Sequence, residues 1–241
     1  KKNICVSSTC FSSFKSKEFN FIESKTMLEK LIFDLEKKTG EHLNEINLMV
    51  DTPESLSVSF SISKNHDGKR IKKTDIQYLI QDAKQQILKF YPEKNIIHII
   101  VSNYIVDNDN FDYLPIDKNC NFFALDIIFI CYPKSLIKIL EDIFFTNQIN
   151  INQVLCTSYA KSLNYKEPYL NFFDKVLFID VGYEKTSIIS FKKDKLVSFN
   201  MLKIGGNHIS KDISKILNYS IQDSEDIKNN LNIDILFSED K

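Results

Sequence analysis

Residues 176–191 read VLFIDVGYEKTSIISF, and this stretch decides how the fold is interpreted. An apolar run ends on one acid, Asp180, and the chain then passes Gly182 and a short polar segment before a second apolar run begins. The pattern predicts two antiparallel strands joined by a tight turn. A plain hairpin has this form, and so has a hairpin that binds phosphate through its backbone amides. The neighbouring motifs have to distinguish these two interpretations.

The composition is that of a folded protein, with 241 residues, 43% hydrophobic and 26% charged. The formal net charge is −1, and basic residues are scattered, so the sequence predicts no nucleic-acid partner. No apolar run approaches the roughly 20 residues that a membrane span needs. The five cysteines form no CxxC pair and no metal-ligand spacing with histidine, which predicts buried or idle thiols.

Two further motifs follow the hairpin within a window of 53 residues, 176–228. Gly205-Gly206-Asn207 lies between a predicted strand at 196–204 and a predicted helix at 208–217. The apolar stripe of that helix consists of Ile209, Ile213, Ile216 and Leu217. Ser220 and Asp223 form a capping box that begins the next predicted helix, and Glu225 and Lys228 lie three positions apart on one face of it. The chain holds only five glycines, and two of them in succession at one junction indicate a close approach of backbone segments.

Each motif has a plain structural interpretation and a nucleotide-binding one. A glycine turn offers amides to phosphate, an acid at a strand end holds the water shell of Mg²⁺, and a helix start adds N–H donors. A glutamate and a lysine on one helix face can reach a ribose and a base edge. Taken singly, the same features are a solvated turn acid, a tight connection and a surface ion pair. Their order and spacing favour the nucleotide site.

The residue patterns in the first half of the chain predict a different arrangement of helices and strands. A short strand is predicted at 4–6, and a helix at about 24–38 ends at Gly40 and precedes a strand at 46–50. Strict apolar alternation at 56–62 predicts a half-exposed strand, and Asn65-His66-Asp67-Gly68 predicts a turn.

Thr74 or Asp75 then caps a helix that runs to Phe90, and strands follow at 96–106 and 122–131. Strand, helix, strand, strand describes a small module. Beyond it, Pro133 opens a helix and a short strand lies at 153–156.

Three stretches carry a family resemblance: FIDVGYEKTSIISF, IGGNHISKDISKIL and DSEDIKNNL. They resemble, in order and wording, the second phosphate hairpin and the two following segments of the actin-like ATPase superfamily, and within it the bacterial FtsA family. Further upstream, CTSYAKSL and LDIIFICYPKSLIKIL are similar to family segments, and SFSISKNHDGKRIKKTDIQYLIQDA resembles the family's inserted module. The likeness is weak before Ile46.

The resemblance implies an α/β actin-like (ribonuclease H-like) fold with an inserted small strand-helix-strand-strand module. Residues 1–50 would form the first part of domain I, 51–132 the inserted module, and 133–175 the remainder of domain I. Residues 176–241 would start an incomplete domain II.

The resemblance also implies a site for ATP and Mg²⁺, with Asp180 positioning Mg²⁺ through water. The residues that it places at the nucleotide are Asp180, Gly182, Tyr183, Lys185, Thr186, Gly205, Gly206, Asn207, Glu225 and Lys228. Tyr183 stands where the family usually has a second glycine, and Ser187 stands where many relatives carry a second acid. Both departures argue against rapid hydrolysis more than against binding.

The implied function is a cell-division scaffold that polymerises on the cytoplasmic face of the membrane and tethers FtsZ at the division site. The inserted module would serve self-association and recruitment of later division proteins. The family's first phosphate hairpin has no counterpart before Val6, and its adenine loop and C-terminal amphipathic membrane helix have none up to Lys241. The isolated chain is therefore expected to bind ATP feebly or not at all, whereas the intact protein is expected to bind it.

Three alternatives remain open at this point. A pilus-assembly relative shares the inserted module and a membrane-platform role. A small-molecule kinase of the sugar-kinase branch needs a catalytic aspartate and domain closure. A degenerate scaffold binds no nucleotide at all.

Overall fold

The structure, a computed structural model, describes residues 21–230. Its helices are α1 (Phe21–Thr39), α2 (Lys73–Phe90), α3 (Lys134–Thr146), α4 (Thr157–Leu170), α5 (Gly206–Leu217) and α6 (Ile221–Asn230). Its strands are β1 (Glu45–Val50), β2 (Leu56–Asn65), β3 (Lys94–Val106), β4 (Asp109–Phe111), β5 (Phe122–Pro133), β6 (Asn150–Cys156), β7 (Lys175–Val181), β8 (Thr186–Lys192) and β9 (Lys195–Leu202). The strand predicted at 4–6 lies outside the described residues.

The chain divides into two compact units. The first comprises, within the described residues, 21–49 and 134–155, and it contains the two-stranded sheet β1–β6. α1 ends as predicted: Gly40 has a φ of +71°, and its N–H donates to the Glu36 carbonyl at 2.8 Å. A positive φ of this kind favours glycine after a helix.

The second unit contains residues 50–133 and, within the described residues, 156–230. In it, β2, β5, β3 and β4 form an antiparallel sheet in that order, and α2 packs its buried residues Ile76, Leu79, Ala83 and Ile87 against the core. The alternating apolar residues of β2 belong to the same core, with Ile62 paired to Leu125 of β5. The predicted alternation is confirmed, because one face of β2 lies against α2 and the other does not.

Two local predictions in this sheet need correction. The polar loop after β3 contains an additional short strand, β4, joined to β3 through Asp107 and Asn108. Both turn residues have a positive φ, 47° and 76°, as a tight hairpin of this type requires. Pro133 is the last residue of β5 rather than the first of α3, which begins at Lys134.

Asp75 stabilises the start of α2 from inside the first turn. α2 begins at Lys73, and the Asp75 carboxylate accepts the Lys72 N–H at 2.9 Å and lies 3.4 Å from the Lys64 ammonium. Burial acts to raise the pKa of Asp75, but the Lys72 N–H, the Lys64 ammonium and the nearby His66 outweigh it. The pKa therefore lies below its ordinary value.

Asp75→Asn is expected to lower the free energy of unfolding by about 1 kcal/mol at pH 7. The folded-state pKa of Asp75 is depressed, so its contribution is present above the ordinary pKa and is lost as the pH falls through the folded-state pKa. The difference between Asp75→Asn and the wild type should therefore shrink between pH 5 and pH 3 in denaturant titrations. Glu93→Gln, which alters an exposed carboxylate just after α2, is the control and should change little.

The remaining sheet of the second unit has the order β7-β8-β9 and is antiparallel throughout. On one face α4 packs against β7, where Tyr165 and Phe178 stack with ring centroids 6.0 Å apart. The apolar residues that alternate with this face, Leu177, Ile179 and Val181, are exposed. The predicted hairpin therefore forms with one covered and one open apolar face.

α5 orients differently from what its apolar stripe predicts. Ile209 and Ile216 of the stripe are exposed, whereas Asn207 and Ser210 are buried. The reason lies in α6, which packs against the polar side of α5. α6 itself begins as predicted, with the Ser220 hydroxyl accepting the Asp223 N–H at 3.1 Å.

Candidate functional site

The hairpin of β7 and β8 is the first element of the site. Asp180 lies opposite Ser187, and Val181 opposite Thr186. The turn closes through the Gly182 N–H, which donates to the Lys185 carbonyl at 2.8 Å. Thr186 also ties the hairpin to the end of β9, since its hydroxyl donates to the Ile204 carbonyl at 2.7 Å. The turn is thereby held beside the glycine pair.

The glycine pair contacts this turn directly. The Gly206 N–H donates to the Gly182 carbonyl at 2.9 Å, and the Asn207 N–H donates to the Tyr183 carbonyl at 2.7 Å. A Cβ on Gly205 would lie 2.4 Å from the Gly182 oxygen and 2.6 Å from the Tyr183 oxygen. The structure therefore brings together two corners of the backbone, the hairpin turn at 182–183 and the glycine junction at 205–206. Gly205 is required because no side chain fits between these two corners.

The same two hydrogen bonds restrict how phosphate could be held. The sequence led us to expect free N–H donors at the start of α5, but those of Gly206 and Asn207 are engaged by the hairpin carbonyls. Buried amides need acceptors, and here the turn supplies them. Phosphate contacts at this corner would therefore come from other groups.

Glu225 and Lys228 form the polar centre beside the junction. The Lys228 ammonium lies 2.6 and 2.7 Å from the two carboxylate oxygens of Glu225 and donates to the Gly206 carbonyl at 3.3 Å. The fully buried Ser210 donates its hydroxyl to the Glu225 carboxylate. The bonds from Lys228 and Ser210 hold the pKa of Glu225 below its ordinary value, against the opposing effect of burial.

Tyr183 extends this centre toward the hairpin. The Lys228 ammonium lies 5.9 Å from the centre of the Tyr183 ring, within the range of a cation–π contact. Burial, followed by the charges of Glu225 and Glu184, raises the pKa of the Tyr183 hydroxyl. Tyr183, Gly206, Glu225 and Lys228 are thus one contiguous group.

Asp180 lies at the β7 end of the site and is paired with a residue that the motifs do not contain. Its carboxylate lies 3.4 Å from the ammonium of Lys161 on α4, and its side chain is 17% exposed. Ser187, opposite Asp180, is fully buried and donates to the Ser158 hydroxyl at 3.1 Å. Ser187 is therefore part of the packing between β8 and α4.

Lys185 is buried, with a side chain only 5% exposed, and forms an ion pair with Asp51. Asp51 belongs to the segment between β1 and β2. Asp51, Thr52, Pro53, Tyr183, Glu184 and Lys185 line a small cavity of about 240 Å³. Lys185 is thus turned toward this cavity, on the Asp51 side of the hairpin.

The structure adds three residues that sequence reasoning missed: Asp51, Lys161 and Ser210. Asp51 and Lys161 are distant in sequence from the predicted residues that they contact. Ser210 lies on the polar side of α5 and contacts Glu225. Ser210 carries the one available signal, because it follows Gly206 by four positions and therefore shares its helix face. Asp51 and Lys161 carry no such signal.

Two kinds of feature are absent from the described residues, 21–230. That part of the chain contains no cluster of three or more His, Cys, Asp or Glu residues arranged to hold a metal ion. Nor does any of its helices combine the length and the apolar character needed to cross a membrane.

Two family models match separate parts of the chain. The model described as cell division protein FtsA matches residues 177–235, which include the hairpin, the glycine junction and α6. The model described as the SHS2 domain inserted in FtsA matches residues 53–130, which include β2, α2, β3, β4 and most of β5.

Curated relatives agree with these models. The cell division protein FtsA of Agrobacterium fabrum is 21% identical over 197 residues, covering 80% of this chain and 43% of that protein. FtsA of Buchnera aphidicola subsp. Schizaphis graminum is 28% identical over 165 residues, covering 66% of this chain and 37% of that protein. The chain spans less than half the length of these relatives.

Among solved structures, a chain of the PilM-PilN type IV pilus biogenesis complex is similar with a TM-score of 0.59 and 12% identity. The match covers 86% of this chain and 56% of that one, and it bears on the fold alone. The expected actin-like fold with an SHS2 insertion is confirmed. The two models and the curated relatives make this chain similar to FtsA in its hairpin, its glycine junction and its SHS2 segment.

Proposed function

We propose that this chain is the nucleotide-binding part of an actin-like cell-division scaffold that takes ATP with Mg²⁺ at the hairpin and the glycine junction. The observation that carries the proposal is the direct hydrogen bonding of Gly206 and Asn207 to the hairpin, with Lys228 beside both. Two glycine corners and a charged pair from the next helix form one continuous surface. A nucleotide contacts several such groups at once, whereas a plain hairpin needs none of them.

The residues present fit such a ligand in their donor chemistry. Lys228 supplies a positive charge next to Gly206, where a Cβ would come within 3.2 Å of its ammonium nitrogen. The bonds of Glu225 to Ser210 and Lys228 position its carboxylate to accept hydrogen bonds from the hydroxyl groups of a ligand. Asp180 offers a carboxylate that would meet Mg²⁺ through water, because Mg²⁺ keeps most of its hydration shell. The bound nucleotide would supply the negative charge that these groups complement.

At the level of the whole protein, the proposed role is a filament-forming scaffold at the cytoplasmic face of the membrane that tethers FtsZ to the division site. ATP would act as an assembly ligand rather than as a substrate of rapid turnover. The SHS2 segment would mediate self-association and recruitment of later division proteins. The division into residues 1–50, 51–132, 133–175 and 176–241 belongs to the same proposal.

The alternatives have less support. A pilus-assembly platform rests on likeness of fold, whereas both family models and the curated relatives are of FtsA. A small-molecule kinase needs a catalytic aspartate in a substrate cleft. Asp180 is paired with Lys161, so that role would require this pair to separate.

Asp180→Ala tests the proposal. We expect it to weaken binding of ATP with Mg²⁺ by about tenfold, as loss of a group that orients a metal's ligands does. Binding of ATP without Mg²⁺ should change little. Calorimetry on the protein in its full length measures both, and the control is Asp194→Ala at the exposed turn between β8 and β9.

The outcomes separate the candidate functions. If the variant loses ATP-dependent sedimentation, a scaffold gated by nucleotide is supported. If it loses multiple-turnover phosphate transfer instead, the chain is a kinase. Unchanged binding with and without Mg²⁺ would contradict the assignment of Asp180, and no ATP binding by the wild type would favour a degenerate scaffold.

A further inference from the structure

We propose that Asp51 is an internal competitor of phosphate: its carboxylate occupies Lys185 and thereby sets the affinity of the hairpin for polyphosphate anions. This inference rests on the proposed nucleotide site, and it adds to that site a residue from the segment between β1 and β2. The carboxylate and a phosphate oxygen offer the same chemistry to an ammonium group, which is an anionic oxygen acceptor.

Burial makes it costly for Lys185 to lack an anionic partner. Its side chain is 5% exposed, and its ammonium has the thioether sulfur of Met201 at 3.7 Å as a further neighbour. An ammonium group is costly to bury unless an opposite charge accompanies it. Among the described residues, Asp51 is the group that supplies this charge.

The carboxylate of Asp51 lies against the glycine of the hairpin. A Cβ on Gly182 would be 4.0 Å from Oδ2 of Asp51, so this acid lies beside the backbone of the hairpin turn. The Asp51 side chain is 39% exposed and borders the cavity of about 240 Å³ that Lys185 also lines. An anion from solution can therefore reach the pair, and the site it would take on Lys185 is the one that Asp51 holds.

The backbone on both sides of Asp51 is fixed. The Val50 carbonyl accepts the hydroxyl of the fully buried Tyr132 at 2.8 Å. On the other side, the Thr52 hydroxyl accepts the Glu54 N–H at 3.2 Å, and the Thr52 carbonyl accepts the Ser55 hydroxyl at 2.7 Å. A carboxylate held in this way acts at a high effective concentration, which a dissolved anion has to overcome.

The size of the effect follows from the fraction of time for which Lys185 is available. If Asp51 holds the ammonium about nine-tenths of the time, the apparent affinity for a polyphosphate falls about tenfold. Removing the charge of Asp51 restores the affinity for the polyphosphate. Lys185, at the tight turn of the hairpin, therefore binds phosphate only when that anion displaces the Asp51 carboxylate.

The experiment uses Asp51→Asn in the full 241-residue chain and inorganic tripolyphosphate as the probe, measured by calorimetry. We expect the variant to bind tripolyphosphate about tenfold more tightly than the wild type. Glu54→Gln is the matched control, because it removes one negative charge from the same exposed segment and should change the affinity less than twofold. Equal gains in both variants, or no gain in Asp51→Asn, would overturn the proposal.

A second measurement avoids dependence on a variant that could fail to fold. In the ¹³C,¹⁵N-labelled wild type, saturating tripolyphosphate should shift the carboxylate carbon of Asp51 together with the amide of Gly182. A shift at Gly182 with an unmoved Asp51 carboxylate would show that phosphate binds without displacing the acid. That result refutes the competition.

Parallel titrations with ATP separate this inference from the proposed function. If Asp51→Asn gains affinity for tripolyphosphate but neither variant nor wild type prefers ATP over it, the competition stands and the adenosine site fails. If ATP binds and Lys228→Met weakens it, while Asp51→Asn has no effect, the nucleotide site stands and the competition is wrong.

Discussion

Gly205→Ala is expected to separate the hairpin from α5 and to lower the free energy of unfolding by about 2–5 kcal/mol. The added Cβ would meet the Gly182 and Tyr183 carbonyl oxygens at 2.4 and 2.6 Å, and both belong to backbone. Relief requires a shift of the turn, which also breaks the hydrogen bonds from Gly206 and Asn207. Urea unfolding followed by circular dichroism measures the change.

Gly206→Ala is the matched control for this substitution. Its Cβ would meet the end of the Lys228 side chain at 3.2 Å, and a flexible side chain can move aside. The control should therefore cost less than about 1 kcal/mol. If Gly205→Ala unfolds at the same urea concentration as the wild type, the close contact between the two corners is refuted.

Lys228→Met is expected to weaken ATP binding by about 10- to 100-fold, because it removes the cation that lies against both Gly206 and Tyr183. Its carboxylate partner Glu225 keeps Ser210 as a hydrogen-bond donor, so the fold should survive. Fluorescence titration with a labelled ATP analogue measures the affinity, and the melting temperature reports on the fold. Lys215→Met, which removes an exposed lysine from α5, is the control.

A double variant distinguishes a ligand contact from a purely structural role. Glu225→Gln alone and together with Lys228→Met gives the coupling energy of the pair with and without ATP. A nucleotide that contacts both side chains should change this coupling. Equal coupling in the two conditions, with an ATP affinity unchanged in Lys228→Met, would contradict the assignment of this pair to the site.

Local sequence patterns predicted most of the secondary structure because they depend on neighbours along the chain. The alternation in β2, the positive φ of Gly40 and the cap of α6 by Ser220 follow from side-chain periodicity and backbone geometry. The same patterns overlooked β4, since three residues are too few to show an alternation. They also predicted that the apolar stripe of α5 would be buried, although Ile216 is 79% exposed.

The candidate site shows a similar division between local and distant information. The order of the hairpin, the glycine pair and the Glu225–Lys228 pair was readable because each motif is short and contiguous. The use of the Gly206 and Asn207 amides was not, because it depends on where the turn carbonyls lie. The ion pairs of Lys161 with Asp180 and of Asp51 with Lys185 join residues that are distant in sequence.

The sequence by itself predicted the resemblance to FtsA, the order of most elements and the positions of the hairpin and the glycine junction. These depend on residue types at short spacing. Only the tertiary structure decided that the two corners bond to each other, that α5 turns its polar side to α6, and that Asp51 holds Lys185. Close backbone approach and charge pairing are set by packing between distant segments, and no local pattern encodes them.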